Sequence, residues 1–424
     1  MSAALLSGHW SDRQRSFVHL ADRLAQKFAL TVGDNDRDSR FPLENYGALD
    51  AAGYLRLAIP KGDGGEGAGV FDLVLAQERL ARADASTALV TGMALAVIGR
   101  VNEQKAWPEA VRAEVFGRLA REGGTINTCI TEPELGSISR GGVPATTAAR
   151  VPGGWKINGH KIFVTGAPAC RYLLTGVLLP ASEAAPEGEI ALAIVDAASP
   201  GLRLENTWRD SLSLRSCGNY DVFYQDVFVP EALMVERRPV GASPVGVSKP
   251  GGTGAKPKAP GTDGWALPIA AVYLGIGQGA LEAACDYAKT RVPPSLGRPI
   301  ATEPHIRQWI GEMATRLSAA RAVLHETARL WDDAPDRRGA LAGPIATSKY
   351  LCTNTACAVT EIGMRVAGGF SLRHKLPLER YFRDARGGLF QPPQDDLTLD
   401  LVGRLALDAF GTTPETASLS AGVA

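Results

Sequence analysis

The chain has 424 residues, more than one compact core usually holds, which predicts two or three domains. Lys plus Arg and Asp plus Glu are equal at 45 each, so no global charge recruits nucleic acid or an anionic membrane, and a small-molecule ligand is expected. The six cysteines, at 129, 170, 217, 285, 352 and 357, include no C-x-x-C pair, which argues against a zinc ribbon or a disulfide framework and for reduced core thiols.

The start, MSAALLSGHWSDRQRS, lacks the apolar core of a signal peptide, and the longest apolar run, residues 88–99, is too short to cross a bilayer, so a cytoplasmic protein with no membrane partner is expected. SFVHLADRLAQKFA spaces its apolar residues as a helix does. YLRLAIP then reads as a strand, and GDGGEG, Gly62 to Gly67, satisfies G-x-G-x-x-G, the pattern that cradles a dinucleotide pyrophosphate between a strand and a helix. VFDLVLAQERLARAD is helical, with Val74, Leu75 and Leu80 on one side. The following ASTALVTGMALAVIGRV has no strand-like alternation, so no βαβ unit is completed and the glycine pattern reads as a surface turn. AVRAEVFGRLA closes an N-terminal helical domain, residues 1–122.

From Thr125 the period changes to short β-type runs: TINTCIT, GWKINGHKIFVTG, YLLTGVLL, IALAIVDA, LRLENTW and DVFYQDVFVP. They predict a central β domain over 123–238, with a tight hairpin at Asn158-Gly159. Residues 239–264, rich in Gly, Pro, Ser and Lys, cannot bury a core and read as a flexible insertion. A helical bundle is expected over 265–410, its second helix carrying the stripe Ile306, Ile310, Met313, Leu317, Ala320 and Leu324. The tail, 411–424, is small, polar and expected to fray. The fold class is therefore α+β: helices, a β barrel or sandwich, then a helical bundle.

CITEPELGS, WKINGHKIFVTG, LRSCGNYDVFYQDVFVP and GGFSLRHKLPLERYFRDAR, in this order, resemble the acyl-CoA dehydrogenase family of flavoproteins from about Phe71 to Leu407. The resemblance implies FAD between the β domain and the C-terminal helices, a homotetramer built as a dimer of dimers, an acyl-CoA or related thioester substrate and an electron-transfer partner. It places Thr128, Ile130 and Thr131 on the segment that hydrogen-bonds the flavin edge, Ser137 near both flavin and the substrate's thioester arm, and Phe163, Val164 and Thr165 on the strand against the ring. Donors aimed at the developing negative charge of a reduced flavin raise its potential, and backbone N–H groups and Thr hydroxyls suit that task. Phe163 stands where the family usually has Trp. Arg291 falls where a neighbouring subunit's Arg reaches the pyrophosphate, and Gly368 and Gly369 match close-approach glycines, whereas Arg365 and Pro304 stand where Gln is common. The family's turn at Gly62 to Gly67 touches no pyrophosphate.

The catalytic base does not carry over. The family's carboxylate sits in an E-G-T triplet nine residues after the Arg of R-D-A, and counting from Arg383 puts Pro392, Pro393 and Gln394 there. Proline supplies neither a carboxylate nor a backbone N–H for the thioester carbonyl. The alternative position, early in the C-terminal bundle, holds Trp265 followed by Ala266. The nearest carboxylates are Asp395 and Asp396, which also suit the first turn of a helix. No H-E-x-x-H, G-x-S-x-G or P-loop is present, no metal site is indicated, and His325 reads as a surface histidine. Three functions stay open: a dehydrogenase of the acyl Cα–Cβ bond with a relocated or substituted base, a flavin-dependent monooxygenase on the same fold, and a non-catalytic flavoprotein subunit.

Overall fold

A computed structural model describes residues 10–134, 136–137, 142–242 and 263–409, the pair 136–137 by its backbone. The tail expected over 411–424, and all of the expected insertion except 239–242 and 263–264, lie outside the described residues.

The N-terminal part is helical: α1 (Asp12–Phe28), α2 (Val32–Arg37), α3 (Leu43–Ala51), α4 (Val70–Ala81), α5 (Ala85–Gln104) and α6 (Glu109–Glu122). Ser11 and Gln14 start α1 with a reciprocal capping box, which satisfies donors that a helix start otherwise leaves unpaired. YLRLAIP is not a strand. It forms a 3-10 turn, Tyr54–Arg56, and Tyr54, with Leu57 and Ile59 just after the turn, plugs into the core; among the described residues no strand pairs with it, so its apolar run serves packing instead. The Gly62 to Gly67 turn follows, mostly exposed, with Gly65 packed on the Ile59 carbonyl so closely that a Cβ would lie 2.2 Å from it. Helix α4 is buried on nearly every side rather than along one stripe.

The centre is a mixed sheet of eight strands: β1 (Thr125–Cys129), β4 (Thr147–Val151), β5 (Gly154–Val164), β6 (Cys170–Leu179), β7 (Glu189–Asp196), β8 (Leu202–Glu205), β9 (Tyr220–Pro230) and β10 (Met234–Pro239). The order is β10-β7-β6-β4-β5-β9-β8, with β1 parallel to β6, and the short β2 (Thr131–Glu132) and β3 (Gly136–Ser137) pair with each other. No hairpin forms at Asn158-Gly159. Strand β5 runs straight through it, and the register against β9 shifts between Ile157 and Gly159. Gly159 is used for close approach: a Cβ there would meet Thr146 at 2.4 Å. The chain reverses earlier, at Pro152-Gly153, where Gly153 has φ 82°.

The C-terminal helices are α7 (Leu267–Thr290), α8 (Pro304–Asp333), α9 (Ala342–Ala367), α10 (Leu378–Arg386) and α11 (Asp395–Ala409). The stripe predicted on α8 faces inward, Ile310 only partly. Helices α5 and α7 are long and apolar enough to cross a membrane, but 78% of each apolar window is buried among other helices, as in core helices. The N- and C-terminal helices share one hydrophobic core, joining Leu73, Leu80 and Leu95 to Leu274, Ile276 and Leu317. The sheet has its own, around Trp155, Ile157, Leu173 and Val227. A seam runs between these two cores, and the candidate site residues fall in two groups, one on the sheet and one on the C-terminal helices.

Candidate functional site

On the sheet side the organiser is Asn127, buried in β1. Its Nδ2 donates to the Thr165 carbonyl at 2.7 Å and its Oδ1 accepts the Thr128 N–H at 2.8 Å, so one amide sets Thr128 and Thr165 side by side. Ile130 links β1 to β2, where Thr131 pairs through its backbone with Ser137. The side chain of Ser137 lies outside the described residues. Among the described residues, the hydroxyls of Thr128, Thr131 and Thr165 make no hydrogen bond to the protein.

Phe163 stands in a register shift of β5 against β9, with φ 57° and the residue 56% exposed. Left-handed backbone at an aromatic residue costs about 1–2 kcal/mol and survives only where the surroundings impose it, often at functional sites. Its ring meets Trp208 edge-on, centroids 5.8 Å apart. Val164 is wholly buried in the sheet core, so its side chain is not available to a ligand.

Beneath this wall lies an ion pair that sequence reasoning missed. Lys161 Nζ donates to Glu132 Oε1 at 2.6 Å, with the two side chains 0% and 1% exposed. Glu132 also accepts the N–H groups of Ala145 and Thr146 and the Thr146 hydroxyl. Burial opposes its charge, but these donors outweigh burial and hold its carboxyl below the ordinary range, while burial pulls Lys161 down. The signal was faint: a charged residue at an inward position of an alternating strand.

On the helical side, Arg291 caps α7 and lies 4.9 Å over the Phe370 ring, beside Gly368 and Gly369, where an added Cβ would meet nothing within 4 Å. Arg365 pairs with Glu361, and Pro304 begins α8. Among the described residues no hydrogen bond joins this group to the Thr128 and Thr165 group. Trp265 is packed on Gly99, where a Cβ would sit 2.1 Å from the ring, and its indole N–H goes to Glu103. His325 is not a surface residue: it bonds Glu78 at 3.1 Å, and Arg321 binds the same carboxylate.

Pro392 is exposed and Pro393 buried. One turn on, α11 starts at Asp395, whose Oδ2 accepts from Asn354 at 2.9 Å and whose Oδ1 lies 3.4 Å from the Lys349 ammonium. Lys349 is 4% exposed; burial lowers its pKa, and Asp395 pushes the other way. Asp396, beside it, is exposed. The structure thus separates the two aspartates: one is anchored, the other solvated.

These residues fit a flavin. Three uncommitted hydroxyls, an exposed aromatic wall and an open Gly-Gly corner beside a guanidinium are the polar, stacking and anion-binding surfaces such a group needs. Comparison with known proteins points the same way. Residues 11–121, 127–227 and 267–388 match, in order, the N-terminal, middle and C-terminal domains of acyl-CoA dehydrogenase. A protein of Bacillus subtilis (strain 168) named putative acyl-CoA dehydrogenase YdbM is 37% identical over 403 residues, 94% of this chain and 98% of its own.

The chain belongs to the acyl-CoA dehydrogenase family. Butyryl-CoA dehydrogenase from Megasphaera elsdenii shares its fold, with TM-score 0.78 at 22% identity over 94% of this chain and 99% of that one. So does methanesulfinate monooxygenase MsuC from Pseudomonas fluorescens, with TM-score 0.76 at 23% identity over 92% and 97%. The fold of this family is therefore found with and without dehydrogenase chemistry in the protein's name, and the residues of the site must decide between them.

Proposed function

We propose that this chain is an FAD-dependent oxidoreductase that oxidises the Cα–Cβ bond of an acyl thioester, with Asp395 as the base in place of the residue that Pro392 displaces. The observation that carries this reading is the fixation of Asp395. Its carboxylate is oriented by Asn354 and neutralised by a buried ammonium, yet each oxygen keeps a lone pair to accept a proton. In the reaction, the α-proton of the thioester passes to a carboxylate oxygen of Asp395, and Lys349 steadies the charge beforehand. A bound flavin supplies the acceptor for the β-hydride in this reading, and electrons for dioxygen in the alternative below. Thr128 and Thr165 donate to the flavin edge, Phe163 covers one face, and Arg291 serves the pyrophosphate of a neighbouring subunit.

A neighbour is supported by the apolar surface left bare on the C-terminal helices: Leu372, Phe390 and Leu407 are 75%, 79% and 76% exposed. The proposed assembly is a homotetramer in the cytoplasm that passes electrons to a separate carrier protein. A second reading, a flavin-dependent monooxygenase, is favoured by Pro392 at the usual base position and by the shared fold of MsuC. Anaerobic mixing of the yellow protein with acyl-CoA thioesters of graded length separates the two. Loss of flavin colour supports dehydrogenation; an inert flavin that, once reduced, gives an oxygenated product supports the alternative.

A further inference from the structure

Phe163 is not the only non-glycine residue bent into left-handed backbone near the seam. Leu214, buried, has φ 53°. Both of its backbone polar groups are taken: its N–H donates to Asp384 Oδ1 at 2.7 Å, and its carbonyl accepts from Trp208 Nε1 at 3.1 Å and from the Cys217 N–H at 3.1 Å. The same short turn reaches the strand end beside Thr165, because the Cys217 carbonyl accepts the Gly166 N–H at 2.9 Å. It is also fixed from the C-terminal side. Arg383 donates to the Leu212 carbonyl, and Gly387 leaves room for Leu214, whose Cδ1 would lie 2.8 Å from a Cβ there.

Two strained residues are therefore joined through one indole. The Trp208 ring meets Phe163 in a T-shaped pair, while its N–H is spent on Leu214, whose turn is bolted to α10. An exposed aromatic ring on left-handed backbone relaxes unless something holds it. We infer that Trp208 is a positioning residue: locked to the C-terminal helices through Leu214, it holds Phe163 in the pose that forms the aromatic wall of the flavin site. The inference rests on the placement of flavin against Phe163 and not on which substrate the flavin oxidises.

The test uses the purified holoenzyme and reads flavin binding rather than turnover. Trp208→Leu removes both the ring and the N–H, and is expected to raise the flavin dissociation constant about tenfold and to change the visible circular dichroism of the bound flavin. Trp208→Phe keeps an aromatic ring against Phe163 but loses the N–H to Leu214, so it should fall between wild type and Trp208→Leu, with flavin affinity about threefold below wild type and the dichroism partly changed. Phe163→Gly relieves the strain and deletes the wall. In that background Trp208→Leu should change flavin affinity by less than about twofold, because the two residues act as one unit. The inference is overturned if Trp208→Leu and Trp208→Phe leave the flavin signals unchanged, or if the effect of Trp208→Leu is as large without Phe163 as with it. If Phe163→Gly alone leaves flavin binding and dichroism intact, the wall itself is misplaced and the inference falls with it. A flavin that binds and responds as expected but is inert to acyl-CoA contradicts only the dehydrogenase reading.

Discussion

Asp384, on α10, accepts the Leu214 N–H at 2.7 Å and so ties the turn behind Phe163 to the C-terminal helices. The carboxyl is 4% exposed; burial first, then the Asp36 carboxylate, raise its pKa to about 7 against the pull of Arg380, the Leu214 amide and Arg383. An unfolded Asp titrates near 3.9, so the folded state holds an extra proton between roughly pH 4 and pH 7. This group's contribution is full below about pH 4 and is lost as pH rises through about 7, a span of about 4 kcal/mol. Thermal melts should show Tm falling from about pH 5 to about pH 7.5, and Asp384→Asn, which can still accept the amide, should flatten that slope. An unchanged slope in the variant would show that the proton sits elsewhere.

Glu78 has the opposite sign. Burial would raise it, but Arg321 and His325 hold it at about 2, so its stabilisation is present above about pH 4.5 and is lost as pH falls through about 2. Glu78→Gln leaves Arg321 as an uncompensated charge between α4 and α8, and should cost about 3–5 kcal/mol in chemical unfolding. Replacing both, as in E78Q/R321M, should recover most of that loss; a double variant as unstable as the single one would refute the account of the pair.

How far the sequence spoke depended on whether a residue's role was local or shared. The helices of α1, α6 and α8 and most strands were legible because each repeats its period over many residues. The Asn158-Gly159 turn was not, since the same dipeptide serves a hairpin or a register shift, and only the pairing of β5 with both β4 and β9 decides. YLRLAIP has strand composition, but among the described residues no strand pairs with it. Motif positions pointed to Thr128, Thr165 and Phe163, while the contacts that brace this region come from far along the chain: Lys161 for Glu132, Asp384 for the Leu214 turn, Lys349 for Asp395. Side-chain partners 29 to 170 residues apart leave no periodic trace.

Arg291 should matter more to the cofactor than to the fold. Its guanidinium rests on Phe370 at the end of α7 with no ion pair among the described residues, so Arg291→Ala should shift Tm little. A charge-assisted contact to a pyrophosphate is worth about 1.5–3 kcal/mol, which predicts flavin binding weaker by about tenfold to a hundredfold in equilibrium dialysis. Unaltered affinity, or a protein that sediments as a monomer with full flavin, would remove Arg291 from the site.

Pro392 offers a gain-of-function test. It is exposed, so Pro392→Glu places a carboxylate at the family's base position without disturbing the core, and returns the backbone N–H that proline lacks. Acyl-CoA oxidation should rise, by up to about a hundredfold where the native base is first removed by Asp395→Asn. Failure of Pro392→Glu to raise activity in either background would mean that the substrate's α-carbon does not lie near this turn.

The central claim is that Asp395 takes the α-proton of an acyl thioester while the flavin is reduced. Rapid anaerobic mixing of acyl-CoA with wild type and with Asp395→Asn, followed at the flavin absorbance, tests it most directly. Loss of a positioned general base typically costs about a hundredfold to ten-thousandfold, so the account predicts bleaching by wild type and a rate at least about a hundredfold lower in the variant, with flavin still bound. Equal rates in the two proteins, or a wild-type flavin that no acyl-CoA reduces, would contradict it.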